Sequence, residues 1–138
     1  MAFGVCAVFL GFSAFANDWK SESKARARLH LMDMLDEYAG RLDASVSNDA
    51  QFDQDAARTA AAEIGELARR IPLLFPDHGP SDLPKIVDDF EGFRAMSLEL
   101  ADLADEASTA IKSLDEAKAL NLGVQGYCQL CHDTYLMN

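Results

Sequence analysis

Near the C-terminus two thiols and an imidazole follow one another as Cys128-Gln129-Leu130-Cys131-His132. On a helix, positions i, i+3 and i+4 share an arc of roughly 100°, so all three side chains address one ligand. This is the attachment sequence of c-type haem, in which each thiol adds across one porphyrin vinyl group while the imidazole binds iron from the same side. Other chemistries fit less well. A disulfide between Cys128 and Cys131 would close a very small loop and constrain little. A thioredoxin-like redox pair belongs beside a strand in an α/β unit. A zinc site needs about four ligands, and after the motif the chain offers only His30, His78 and carboxylates.

The elements that must carry this motif are bounded by composition. At 138 residues, 49% hydrophobic and 25% charged, the chain has the size of one globular domain, which excludes a multidomain enzyme. Twelve basic against 23 acidic residues give a formal net charge of −11, which argues against a nucleic-acid binder and for partners with a basic face. The first sixteen residues, MAFGVCAVFLGFSAFA, carry no charge and end in Ala14-Phe15-Ala16, a small-x-small cleavage pattern. They fall short of the roughly 20 apolar residues that span a bilayer. The expectation is a signal peptide over 1–16 and a mature, exported domain over 17–138, with no stable membrane insertion after cleavage. No Lys or Arg precedes the apolar run, and Cys6 leaves with it.

Downstream the apolar residues recur at helical spacing, and no stretch alternates like a strand. A first helix is predicted from about Asp18 to Ala44, with Leu31, Leu35, Tyr38 and Leu42 on one stripe. Ser47-Asn48-Asp49 supplies N-cap chemistry for a second helix over about Ala50–Ile71. Pro72, Pro76, Pro80 and Pro84 then mark a connection that holds no continuous helix. Asp82 is the expected cap of a third helix, whose apolar stripe runs unbroken from Ile86 to Ile111. Ser113-x-x-Glu116 is a capping box for a fourth, which continues to about Tyr135. The fold expected is all-α, an antiparallel four-helix bundle with haem bound covalently at the C-terminal helix. The acidic runs Asp88-Asp89 and Asp102 to Glu106 read as a solvated face, and Phe90, Phe93, Tyr127 and Tyr135 as packing residues.

The terminal motif, closing as Cys128-Gln129-Leu130-Cys131-His132-Asp133-Thr134-Tyr135 on such a bundle, resembles the cytochrome c′ family, low-spin members included. The resemblance covers essentially all of the mature chain. It implies one haem c held by Cys128 and Cys131, with His132 as the proximal iron ligand. It also implies that Arg28 and Met32 reproduce the family's pair in the first helix, Met32 covering the distal face and Arg28 reaching a haem propionate. Where the family commonly has a basic residue after the aromatic, this chain has Leu136, which removes that role. With Met32 on the iron, His/Met ligation suits a periplasmic electron carrier that is not an enzyme. With a non-ligating distal residue, the alternative is a five-coordinate haem protein that binds nitric oxide or carbon monoxide. Met32 can equally be a methionine filling a core gap, and Arg28 a solvated member of the basic cluster Lys20, Lys24, Arg26 and Arg28. Of the other candidates, Met34 lies roughly 200° away around the helix. The family likeness further implies a homodimer through the first two helices.

Overall fold

The computed structural model describes residues 12–47, 52–75 and 83–136, with side chains from Ser23 onward. Among these residues there are five helices and no strand: α1 Phe12–Val46, α2 Gln54–Leu74, α3 Pro84–Asp88, α4 Phe90–Ala110 and α5 Leu114–Tyr135. The four long ones form an antiparallel bundle, and cross-helix contacts fix their directions. Arg58, early in α2, donates to the carbonyls of Ile111 (2.8 Å) and Thr109 (3.3 Å) at the end of α4. Arg69, late in α2, pairs with Asp105 and Asp102 further back along α4. On the opposite side Asp43, late in α1, accepts from Asn121 (2.8 Å) and Gln125 (3.4 Å) of α5. Arg28 stacks on Phe75, just beyond the end of α2, and the Tyr127 hydroxyl of α5 donates to Glu99 of α4. Each long helix therefore packs beside two antiparallel neighbours.

The tightest seam lies between α2 and α4 and is built from small residues. Ala57, Ala61 and Ala68 of α2 and Ala101 and Ala104 of α4 are completely buried, so the two backbones approach closely. Gly65 lies on that seam. A Cβ there would lie 3.2 Å from the Ala101 carbonyl oxygen and would run into the Asp105 carboxylate.

Element boundaries depart from the sequence reading at α1, which begins at Phe12, before the expected Asp18 and within residues 1–16, and ends at Val46 rather than Ala44, and in three further places, each for a local reason. The second helix begins at Gln54, and its cap is Asp53, whose carboxylate accepts from the Ala56 N–H at 3.0 Å. Phe52 therefore precedes the helix, and Ala57 faces the core. Pro72 does not end this helix. It is buried inside it, and the chain turns out only at Phe75 (φ −107°, ψ 142°), the extended conformation imposed on a residue before proline, here Pro76. The third predicted helix is interrupted. α3 starts at Pro84 behind Leu83, which makes no side-chain cap, and Asp89 breaks the chain before α4. The break is an N-cap: Asp89 accepts from the Gly92 N–H at 3.2 Å. Asp82, the expected cap, lies outside the described residues, as do His78, Pro76 and Pro80. The Asp88-Asp89 and Asp102–Glu106 runs are accordingly more than a solvated face, since Asp89 caps α4 and Asp102 and Asp105 hold Arg69.

The Ser113 capping box forms as predicted. The Ser113 hydroxyl accepts from the Glu116 N–H, and the Glu116 carboxylate accepts from the N–H groups of Lys112 (2.6 Å) and Ser113 (3.0 Å). α5 then runs without a break through Gly123 and Gly126.

Gly65→Leu is expected to destabilise the bundle by about 2 kcal/mol through overpacking of the α2/α4 seam, measured as a lower urea midpoint at unchanged slope. Ser113→Ala should cost about 1 kcal/mol. The Glu116 carboxyl is held below its ordinary value of 4.5, first by the Lys112 N–H and then by the Ser113 hydroxyl. A depressed pKa stabilises the fold above the unfolded value, and that contribution is lost as pH falls through the folded one. Urea midpoints of wild type and Glu116→Gln should therefore differ at pH 7 and converge as the pH drops below about 4.5.

Candidate functional site

α5 delivers the motif to the end of the bundle opposite the capping box. Cys128 and Cys131 are half-buried against the hydrophobic core, while His132 is exposed. The helix ends one turn later, where the Leu136 N–H donates to the His132 carbonyl at 2.9 Å. No disulfide joins the two cysteines. Burial, with the Asp36 carboxylate second, raises the Cys128 pKa, and burial, with Cys128 second, pushes Cys131 up to about 11. Thiols held protonated in this way are poor redox nucleophiles, which tells against a thioredoxin-like pair. Among the described residues no group of three His, Cys, Asp or Glu side chains is placed to hold a metal ion.

The register between α1 and α5 is what brings a second helix to the motif. Asp43 meets Asn121, and Asp36, seven residues before Asp43, acts on Cys128, seven residues after Asn121. One more turn along both helices sets Met32 level with His132. Met32 is half-buried and packs against the same core cluster as Cys128 and Cys131. Met34 is half-buried there too, so register rather than burial singles out Met32. His30 is exposed. Arg28, a further turn back on α1, is half-buried with its guanidinium 5.3 Å above the ring of Phe75.

Beyond Arg28, an aromatic chain closes this end of the bundle. Phe75 meets Phe93 edge-on at 4.9 Å, and Phe93 meets Tyr135 edge-on at 5.3 Å and 85°. Phe93 and Tyr135 are buried and Phe90 half-buried, in keeping with packing roles. The Tyr135 hydroxyl donates to the Asp89 carboxylate at 2.9 Å. Burial first, and then that carboxylate, push Tyr135 up to about 12, so it remains a donor at neutral pH. Neither Phe75 nor Asp89 stands out in the sequence. Phe75 is marked only by the proline that follows it, and Asp89 by nothing that separates a cap from an acidic run.

The residues fit a haem attached from α5. Two half-buried thiols and an imidazole sit on one arc, and the Met32 thioether of the neighbouring helix packs against the same core cluster as the thiols. Among the described residues no helix is long and apolar enough to cross a membrane.

Comparison with known proteins agrees. Residues 23–136 match the family described as Cytochrome C′. A cytochrome c′ of Rhodopseudomonas palustris is 28% identical over 137 residues, which cover 96% of this chain and 90% of that one. The solved structure of cytochrome c′ from Rhodopseudomonas palustris superposes with a TM-score of 0.69 at 30% identity, covering 80% of this chain and 92% of that chain. A structural model of oxidized cytochrome c556 from the same organism reaches 0.70 at 24% identity, covering 83% and 95%, a likeness of fold alone. With residues 23–136 and the bundle matched in this way, the chain belongs to the cytochrome c′ family and has one covalently attached haem c as its cofactor.

Proposed function

We propose that this protein is an exported monohaem electron carrier in which Cys128 and Cys131 hold haem c through thioethers, His132 is the proximal iron ligand and Met32 the distal one. The observation that carries the reading is the α1/α5 register, which sets a half-buried thioether level with the imidazole of the attachment motif. Haem c supplies an iron that gains and loses one electron. Ligation by His132 and Met32 would raise the reduction potential of that iron, which suits transfer rather than catalysis. Arg28 is assigned to a haem propionate by a charge-assisted bond. Its stacking on Phe75 supports the role, because the ring fixes the guanidinium at this end of the bundle.

Residues 1–16 are assigned to a leader removed on export to the periplasm, leaving 17–138 as the mature domain. Redox partners are expected to present a basic face to this acidic protein and to meet it in transient, salt-sensitive encounters. Self-association through α1 and α2 is consistent with the exposed side chains of Leu29 and Leu73 on those helices.

The absorption spectrum of the ferrous protein with and without carbon monoxide tests the reading. A low-spin spectrum that resists carbon monoxide is expected. Rapid and complete binding from a high-spin resting state would replace the electron-carrier reading with a gas-binding one. Met32→Ala should convert low-spin iron to high-spin and open the iron to carbon monoxide, whereas an unchanged low-spin spectrum refutes ligation by Met32. The intact mass of protein from the periplasm should equal that of residues 17–138 plus one haem.

A further inference from the structure

The turn of α5 that bears His132 has one side chain driven into the bundle beyond the motif, Tyr135, which is 5% exposed. Its ring is fixed edge-on against Phe93, and its hydroxyl is fixed by Asp89 at 2.9 Å. Asp89 is itself held. One carboxylate oxygen receives the Tyr135 hydroxyl and the other receives the Gly92 N–H at the start of α4, where the helix dipole favours a negative charge. Gly92 leaves the room this needs, since a Cβ there would collide with the Asp89 carboxylate. The break between α3 and α4 thus places a carboxylate where it reaches the last turn of the helix that carries the imidazole.

From this geometry we infer that Tyr135 and Asp89 are positioning residues for the haem iron: their hydrogen bond locks the terminal turn of α5 and thereby fixes the placement of His132. The inference rests on the assignment of His132 as the proximal ligand. An exposed imidazole on the final turn of a helix has little else to hold it, because helix ends fray within the last turn. The lock ties that turn to the N-terminus of α4, and through Phe93 and Phe75 to the end of α2 and to Arg28 on α1. All four long helices therefore contribute to the position of a ligand that only one of them carries.

Tyr135→Phe keeps the ring and its packing and removes only the hydroxyl, so it is the primary variant. In the haem-loaded protein it is expected to retain covalent haem and overall helicity. Amide exchange across residues 132–136 should speed up by roughly fivefold, the worth of one hydrogen bond. The ferric electron paramagnetic resonance spectrum should change as the imidazole gains freedom. Asp89→Ala should give the same two changes, and Asp89→Asn, which still presents an oxygen to Tyr135 and a cap to α4, should restore the wild-type spectrum. Tyr127→Phe, which removes a hydroxyl from the same helix but not from its last turn, should leave the spectrum unchanged. If His132→Ala perturbs the iron spectrum but Tyr135→Phe and Asp89→Ala leave it identical to wild type, the lock is overturned while ligation by His132 stands. If His132→Ala leaves the spectrum unaltered, the ligand assignment falls and the lock with it.

Discussion

The register of α5 against α1 is the constraint on which the rest of the site depends. It is set by a polar contact, not by shape alone. Asn121 is 7% exposed and spends its amide N–H on the Asp43 carboxylate, while its Oδ1 is buried without a partner among the described residues. Leaving such an atom unpaired costs about 1–3 kcal/mol, and a hydrogen bond to a charged group returns about 1.5–3. The exchange is close to neutral for stability. Its effect is on alignment: a slide of one turn would separate the pair and leave the buried Asn121 amide unpaired.

The surface contributes little to holding this arrangement. Arg41–Glu37, Arg70–Glu66 and Arg94–Glu91 are exposed pairs within single helices, each of the kind worth about 0.3–0.5 kcal/mol. Against them stands the self-repulsion of a chain with a net charge of −11. Cohesion must therefore come from the core, and the core is uneven. The α2/α4 seam is closed by alanine and glycine, whereas around α5 it is made of larger, partly exposed side chains, Met32, Tyr127, Cys128 and Cys131 among them. An attached haem adds a large apolar body to the less tightly closed side of the bundle.

What the sequence revealed and what it hid follow from the range of the interactions involved. The attachment motif, the capping box and the helical class depend on residues within four positions of each other, and they were legible. Met32 was reached by resemblance and its level with His132 by structure, because the register between α1 and α5 rests on Asp43 and Asn121, far apart in the chain. The break at Asp89 was hidden behind an apolar stripe that runs from Ile86 through Phe90 to Phe93 at helical spacing. Periodicity reports which side chains face inward and is blind to a backbone that restarts in phase. Pro72 misled for the opposite reason. A proline announces a lost donor, but near the end of a helix only one bond is forfeited, and burial of its ring among the residues of the α2 core holds the last turn in place.

The two ends of the bundle divide the work of folding and function. At one end a three-residue turn joins α4 to α5, Ser113 and Glu116 cap α5, and Arg58 of α2 donates to the last carbonyls of α4, so that backbone groups at this end are satisfied by side chains. At the other, α2 stops before a proline, α4 begins after a break, and α5 terminates just beyond His132. Three helix ends in one place leave spare backbone donors and acceptors, and Asp89 takes up one donor of α4. They also free the side chains there from the close approach that the alanine seam enforces elsewhere. A wide prosthetic group requires that freedom, and a ligand that must not wander requires the aromatic and carboxylate contacts that limit it. The same termination of helices that makes room for the group therefore obliges the chain to supply Phe75, Phe93, Tyr135 and Asp89 as replacements for the lost helix-to-helix packing.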